Sequence, residues 1–497
     1  MDKFTRELES GEIHVRDRWQ FELKSEFFPD YSLKGAAYTQ EFYIFIPNAL
    51  QINANSYTKQ DFFNDQTNFI RYKTPVFTLG ELIDPNNIGS PIARIQRLKQ
   101  EALTPETAQA VEEELKLLGN IVRSAIRRKM HQFVTLLESR ENDREFSEKL
   151  NVLDEKIDRF FEIFGGLRGE FLEKEIPESL SHCFTHIHDF IGQSVNYYYT
   201  GLLNKVRRIN KKSLNPSDKL ICERLIQYAE PIKEIEEEGE KSGEFILYRS
   251  SLLNKYVLDA LLLRTTRSSP DRRLKNIIGS FAAGVAMLVY FLLFIWQGKV
   301  FLINSEPFIL ATVVLYILKD RLKEGLKALS YKQAFRWFSD STTKIYDPKG
   351  KTILGKLKES FSFVREKSLP KEIRRIRNSE FHDLLEDFKR PEKVIFYKRT
   401  IEMHEPKPKE PRRRFCLNII FRYNILKYLT KADNPYHFYV ALDRDTRKLL
   451  KTRLPKIYHL NIIMRNSYFE KNGTRKEETK KFRLILDKKG IKRLESV

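Results

Sequence analysis

The sequence predicts an α+β membrane protein made of a helical bundle, a two-helix transmembrane hairpin and a C-terminal antiparallel β-domain. Three observations predict it. No charged residue occurs between Lys275 and Lys299, a stretch long enough to cross the hydrocarbon core of a bilayer. From Thr104 to about Arg267 apolar residues recur every three or four positions, the period of a helix buried on one face. After residue 391, short runs rich in β-branched and aromatic residues alternate with turn residues, the pattern of strands. The 497 residues divide accordingly into a small α/β segment (1–90), a cytosolic bundle (91–270), the hairpin with a juxtamembrane helix (274–325), a basic linker region (326–390) and a basic β-sandwich or barrel (391–497).

In chain order, residues 17–47 read as two strands, with Trp19, Phe21 and Leu23 alternating with polar neighbours and TQEFYIFIP ending at a proline. NSYTKQDFFNDQTNFIRY reads as a short helix starting near Ser56, its aromatics packed on those strands. In the bundle, Val111, Leu115, Leu118, Val122 and Ile126 mark a first long helix. Phe146, Leu150, Leu153, Ile157, Phe160 and Phe164 mark a second, expected to stop at Gly165 and Gly166. A third begins at Pro177, and further helices are expected from about Ser217 to Glu230 and from Glu244 to Arg267. The basic runs Arg127 to Lys129 and Lys205 to Lys212 read as solvated faces, or as faces toward lipid headgroups.

The third helix carries the densest histidine cluster, SHCFTHIHDF. His182, His186 and Asp189 share a helical face, as metal ligands on a helix must. A zincin site needs glutamate after the first histidine, where Cys183 stands. No cofactor is therefore expected, and the trio is a metal-site candidate only. Cys183, Cys222 and Cys416 lack C-x-x-C spacing and suggest a reducing compartment.

The first span is expected from Ile277 to Trp296, with Gly279, Ala283 and Ala286 at small-residue spacing that lets a second helix approach. The second is the run Phe308 to Leu318. Either Glu306 sits in lipid, or Gln297 to Glu306 forms the external loop and Pro307 starts the helix. Arg264, Arg267, Arg272, Arg273 and Lys275 precede the hairpin and Lys319, Arg321, Lys323, Lys327 and Lys332 follow it. Only Lys299 lies between, so both termini are expected on the cytoplasmic side of an inner membrane of bacterial type.

Charge is distributed unevenly. Residues 1–318 hold 41 Lys+Arg against 44 Asp+Glu, and residues 319–497 hold 47 against 23, so the net charge of +21 comes from the part after the hairpin. A basic region beside an anionic leaflet implies contact with lipid headgroups. Lys319, Arg321, Lys323 and Lys327, with Arg412, Arg413 and Arg414 in the linker EPKPKEPRRR, are its candidate anion-binding residues. Gly350-Lys351-Thr352 matches only the end of a phosphate-binding loop, since Ile345 stands where the opening glycine is required.

Pro370 to Lys389 reads as a helix. Within it, Arg377-Asn378 followed by His382 resembles the R-N-x-x-x-H signature of HEPN-type ribonucleases. That resemblance implies phosphodiester cleavage by Arg377 and His382 in a helical bundle pairing two copies of the motif; the alternative is a basic amphipathic helix. The sequence as a whole leads to the expectation of a membrane-anchored binding or scaffold protein, with a HEPN-like nuclease or a metal-dependent enzyme as the alternative. Its expected partners are the membrane, anionic lipid or an acidic protein. Nucleic acid could engage the same basic face, and a homo-oligomer is the expected assembly.

Overall fold

In the computed structural model the described residues are 13–29, 36–102, 104–138, 143–173, 176–209, 216–228, 240–268, 271–302, 305–337, 339–379, 392–404, 416–469 and 474–496. They form a mixed α+β fold with antiparallel sheets.

Strands β1 (Ile13–Val15), β2 (Gln20–Phe27), β3 (Ala36–Pro47) and β4 (Gln66–Tyr72) do not form a separate N-terminal unit. β3 lies in the middle of an eight-stranded sheet, paired on one side with β8 (Glu392–Met403) and on the other with β12 (Tyr458–Phe469). That sheet continues through β13 (Arg475–Asp487) to β14 (Gly490–Ser496) at one edge. At the other it runs through β7 (Ile353–Val364) and β6 (Ser341–Tyr346) to β5 (Arg264–Ser268). β2 and β4 flank β9 (Leu417–Asn424) in a second sheet of four strands. The two sheets pack face to face. Phe21 and Leu23 of β2, with Phe421 and Tyr423 of β9, meet Phe42 and Ile44 of β3, Tyr397 of β8 and Ile462 of β12 in one core. The β-domain is thus a sandwich in which each sheet combines strands from the N-terminal and C-terminal parts of the chain.

Several elements differ from their sequence patterns. The helix expected from Ser56 is short, α1 (Lys59–Asp65), started by a reciprocal Thr58–Asp61 capping box. The rest of that run is β4, because its backbone pairs with β9. Gly165 and Gly166 do not stop the second long helix, which continues to Leu172. Buried Leu167 and Phe171 extend its apolar stripe past them, which outweighs a cost of about 1 kcal/mol per glycine. The last bundle helix ends at Leu258, and Arg264–Ser268 is an edge strand paired with β6. Of the helix expected over Pro370 to Lys389, α11 (Lys371–Asn378) covers the start, and the remainder lies outside the described residues.

The bundle is inserted between β4 and β5. It consists of α2 (Leu79–Ile83), α3 (Pro91–Gln100), α4 (Pro105–Glu138), α5 (Asp143–Leu172), α6 (Glu178–Ile209), α7 (Pro216–Tyr228) and α8 (Glu240–Leu258). Val111, Leu115, Leu118, Val122 and Ile126 of α4 are fully buried against Phe184, Ile187 and Ile191 of α6. At Gly119 the helices come so close that an added Cβ would stand 3.2 Å from Val257 of α8.

The hairpin is inserted between β5 and β6, whose pairing brings its two ends together. α9 (Asp271–Val300) contains the 22-residue segment Gly279–Val300, with mean hydropathy 2.0. It is the one described helix long and apolar enough to cross a membrane. Of the two expected spans, α9 alone has the length and composition of one among the described residues, because in α10 (Glu306–Trp337) the apolar run ends at Lys319. The two helices nevertheless pack antiparallel. Gln297 donates through Nε2 to Phe308 O (2.6 Å) and Thr312 Oγ1 (3.0 Å), and Lys319 lies over the Tyr290 ring. Of the expected trio Ala286 is buried at the seam, where Ala282 joins it, while Gly279 and Ala283 are only partly buried. Ser305 accepts from Phe308 N, so Glu306 and Pro307 occupy the first turn of α10. Phe281, Leu288, Phe291, Leu292, Ile295, Leu310, Val313 and Ile317 all point outward.

Candidate anion-binding cleft

The sandwich interior contains an unusual amount of polarity. Arg399 of β8 is fully buried between the Phe42 and Phe421 rings, 5.3 and 5.5 Å from its guanidinium carbon. It donates to Gln40 Oε1 (2.7 Å) and to Asn68 Oδ1, while its Nη2 has no hydrogen-bond partner. Glu359 of β7 accepts from Tyr397 OH (2.6 Å), Asn68 (2.7 Å) and Gln66 (2.9 Å). Burial pushes the Glu359 carboxyl above its ordinary range, against the hydrogen bond from Tyr397, and burial also lowers Arg399. Removing one member of such a network strands the others, so it specifies how the two sheets register.

The network extends to a cleft. Gln40 Nε2 donates to Ser25 Oγ (2.7 Å) and Asn466 Oδ1 (2.8 Å), and both side chains line a cleft of about 600 Å³ between the sandwich and the bundle. β2 supplies Lys24 to Phe27, β4 supplies Arg71, and Lys73 follows it. Tyr38 comes from β3, Met464 and Tyr468 from β12, Glu478 and Lys480 from β13, and Ser124, Arg127 and Arg128 from α4. The cleft lies toward the end of the sheet where β3 begins. Its volume falls in the range of small-molecule sites.

Its charges do not cancel. Six lining residues are basic and two acidic, and both acids are already engaged, Glu26 with Lys73 (2.5 Å) and Glu478 with Lys480 (3.0 Å). Arg128 donates to Phe77 O. Among the described residues no carboxylate stands within ion-pair distance of Arg71 or Arg127. Burial holds Arg71 below the ordinary arginine value, and the positive charges of Arg127 and Arg123 lower it further. Grouping guanidinium groups this way is unfavourable without an anion between them. Fork-shaped donors beside Ser25, Ser124 and Asn466 can bind a phosphate or carboxylate bidentately, with Phe27, Phe28 and Tyr38 against an apolar remainder.

The residues proposed from sequence lie elsewhere. His182 is exposed and 3.3 Å from Glu178, His186 packs edge-on to Tyr256, and Asp189 is paired with Arg249 (2.6 Å). Among the described residues no group of three or more His, Cys, Asp or Glu is placed to hold a metal. Arg377 is buried on the outer face of the large sheet, forked onto Glu392 (2.6 and 3.2 Å) beside the Phe45 ring. Its fork is thereby occupied within the fold, and His382 lies outside the described residues, as do Arg412, Arg413 and Arg414. Lys319 packs on Tyr316, while Arg321, Lys323 and Lys327 project from α10 beyond its apolar run.

Sequence reasoning noted Arg127 and Arg128 as a surface run and passed over Arg71, since a lone arginine in a strand gives no signal. The chain matches no family model, no curated protein and no solved structure, so the functional reading rests on the arrangement of its own residues.

Proposed function

We propose that this chain is a membrane-anchored binding protein that holds an anionic small molecule, bearing a phosphate or carboxylate, in the cleft between bundle and sandwich. The hairpin is the anchor. Its outward apolar surface runs along both helices, and hydrocarbon is the solvent that such a surface fits. In this reading α9 spans the bilayer and α10 returns through it. Gln297 bridges the pair at one end, while Lys319 and Arg321 emerge among headgroups at the other. In the same reading the bundle and sandwich lie on the cytoplasmic side, which the basic residues on both flanks of the hairpin support.

The observation that supports ligand binding is the pair Arg71 and Arg127, which share one cleft with no carboxylate within ion-pair distance of either among the described residues. Calorimetric titration of the full chain in neutral detergent, with inorganic pyrophosphate and with short-chain phosphatidylglycerol as separate probes, tests it. Binding is expected to weaken at least about tenfold in Arg71→Met and in Arg127→Met, a loss of about 1.4 kcal/mol. Equal affinity in wild type and both variants, or no heat from either probe at low salt, would overturn the assignment.

A further inference from the structure

Strands β10 (Tyr436–Leu442) and β11 (Leu449–Pro455) pair with each other over all seven positions and with neither sheet. Nearly every side chain on this ribbon is exposed, including Phe438, Tyr439, Val440, Leu442, Leu449 and Leu450. An isolated two-stranded ribbon is marginal in water, and one that is apolar on its surface needs something to lie against.

Register shows which way it projects. In the order β12, β3, β8, β7, β6 each neighbouring pair is antiparallel, so β12 and β6 run in the same direction and start at the same end of the sheet. The ribbon feeds directly into the start of β12, as the hairpin feeds into the start of β6. Both therefore leave from the same end of the sheet, four strand spacings or about 19 Å apart. One face of the ribbon also has the composition of an interfacial segment. Phe438 lies opposite Arg453, Val440 opposite Lys451, and Leu442 opposite Leu449. Lys451 lies over the Phe438 ring and Arg453 over that of Tyr436, so that face combines an apolar row with cations free to reach phosphate groups.

We infer that the β10–β11 ribbon is a second membrane contact, laid side-on against the anionic leaflet through which the hairpin enters. This rests on the proposed insertion of the hairpin. Contact at two points fixes the tilt of the sandwich over the membrane, which a single hairpin leaves free.

The test uses full-length protein carrying Cys222→Ser, in vesicles containing phosphatidylglycerol and spin-labelled lipid, with an environment-sensitive fluorophore at one cysteine at a time. The positions are Ile295→Cys in the hairpin, Val440→Cys in the ribbon and Asn86→Cys on the bundle. Quenching at 295 and at 440, several-fold stronger than at 86, is the expected result, and reversing the cations with Lys451→Glu and Arg453→Glu should reduce it at 440 alone. No quenching at 295 would remove the anchor reading, and the ribbon assignment with it. Quenching at 295 with none at 440 would overturn the ribbon assignment and leave the anchor intact. A fluorescence blue shift at 440 without lipid quenching, growing with protein concentration, would assign the ribbon to contact between copies and overturn the membrane assignment.

Discussion

The bundle and the hairpin meet at β5, the edge strand of the large sheet, yet they are inside out relative to each other. β5, five residues long, receives the bundle at Arg264 and releases the hairpin at Ser268. Both excursions contain helices of similar length, α4 with 34 residues and α9 with 30. In α4 the apolar residues face inward and charged residues face out. In α9 Leu292 and Phe291 face out, and the buried polar residue is Gln297, satisfied by α10. Amphipathicity is therefore defined only against the medium each helix meets, and adjacent segments of one chain can be built for opposite media.

Matched substitutions can break or sharpen this comparison. The largest difference is expected from a charge. Leu118→Asp buries a carboxylate at a fully buried position and should cost about 4 kcal/mol or more, abolishing the cooperative melt of the full chain in detergent. Leu292→Asp, at a position 60% exposed, should move that melt by less than about 0.5 kcal/mol while reducing carbonate-resistant membrane retention. Equal effects on the melt would erase the distinction.

A steric pair comes next. Gly119→Val meets Val257, Ile187 and Phe190 and should cost about 1–3 kcal/mol, whereas Gly284→Val meets nothing within 4 Å and should be near neutral, both read from denaturant midpoints.

Acid gives a smaller contrast. Burial alone would raise Glu22, but hydrogen bonds from His14 and Arg422 outweigh it and hold the carboxyl at about 2. Its contribution to the sandwich is present above its ordinary value of 4.5 and is lost as pH falls from there toward 2. Glu22→Gln should flatten that part of the stability profile in denaturant titrations. Gly279–Val300 contains no carboxylate, so its helical circular dichroism should persist through the same range.

The smallest effect is expected from Gln297→Leu. It exchanges two hydrogen bonds to α10 for apolar contact and should loosen the hairpin by about 1 kcal/mol or less, seen as faster proteolysis between Phe301 and Ser305 in detergent.

What the sequence made legible follows the range of the interactions involved. The apolar stripe of α4 and the uncharged run of α9 are local patterns, and both were readable. The pairing of Gln40 with Arg399, 359 residues apart, was not, because nothing local to either residue encodes the partner. β4 and β5 were read as parts of helices for the same reason: each is a strand only because β9 or β6 supplies its hydrogen bonds. The cleft was the least legible, since its charge imbalance exists only after β2, β4, β13 and α4 converge. For the histidine trio and the Arg377 motif spacing was legible and pairing was not: Asp189 is paired with Arg249 and Arg377 with Glu392.

The central position of β3 also constrains biogenesis. Synthesis proceeds from the N-terminus, so β3 emerges long before either of the strands that flank it, β8 and β12. The bundle and the hairpin lie wholly between β3 and β8 and need no later sequence to form their own helical contacts. On the proposed anchoring, insertion into the bilayer can therefore precede closure of the sandwich. Until β8 and β12 have been made, the nascent chain carries an open aromatic edge at β3 that a chaperone or the ribosome surface must shield.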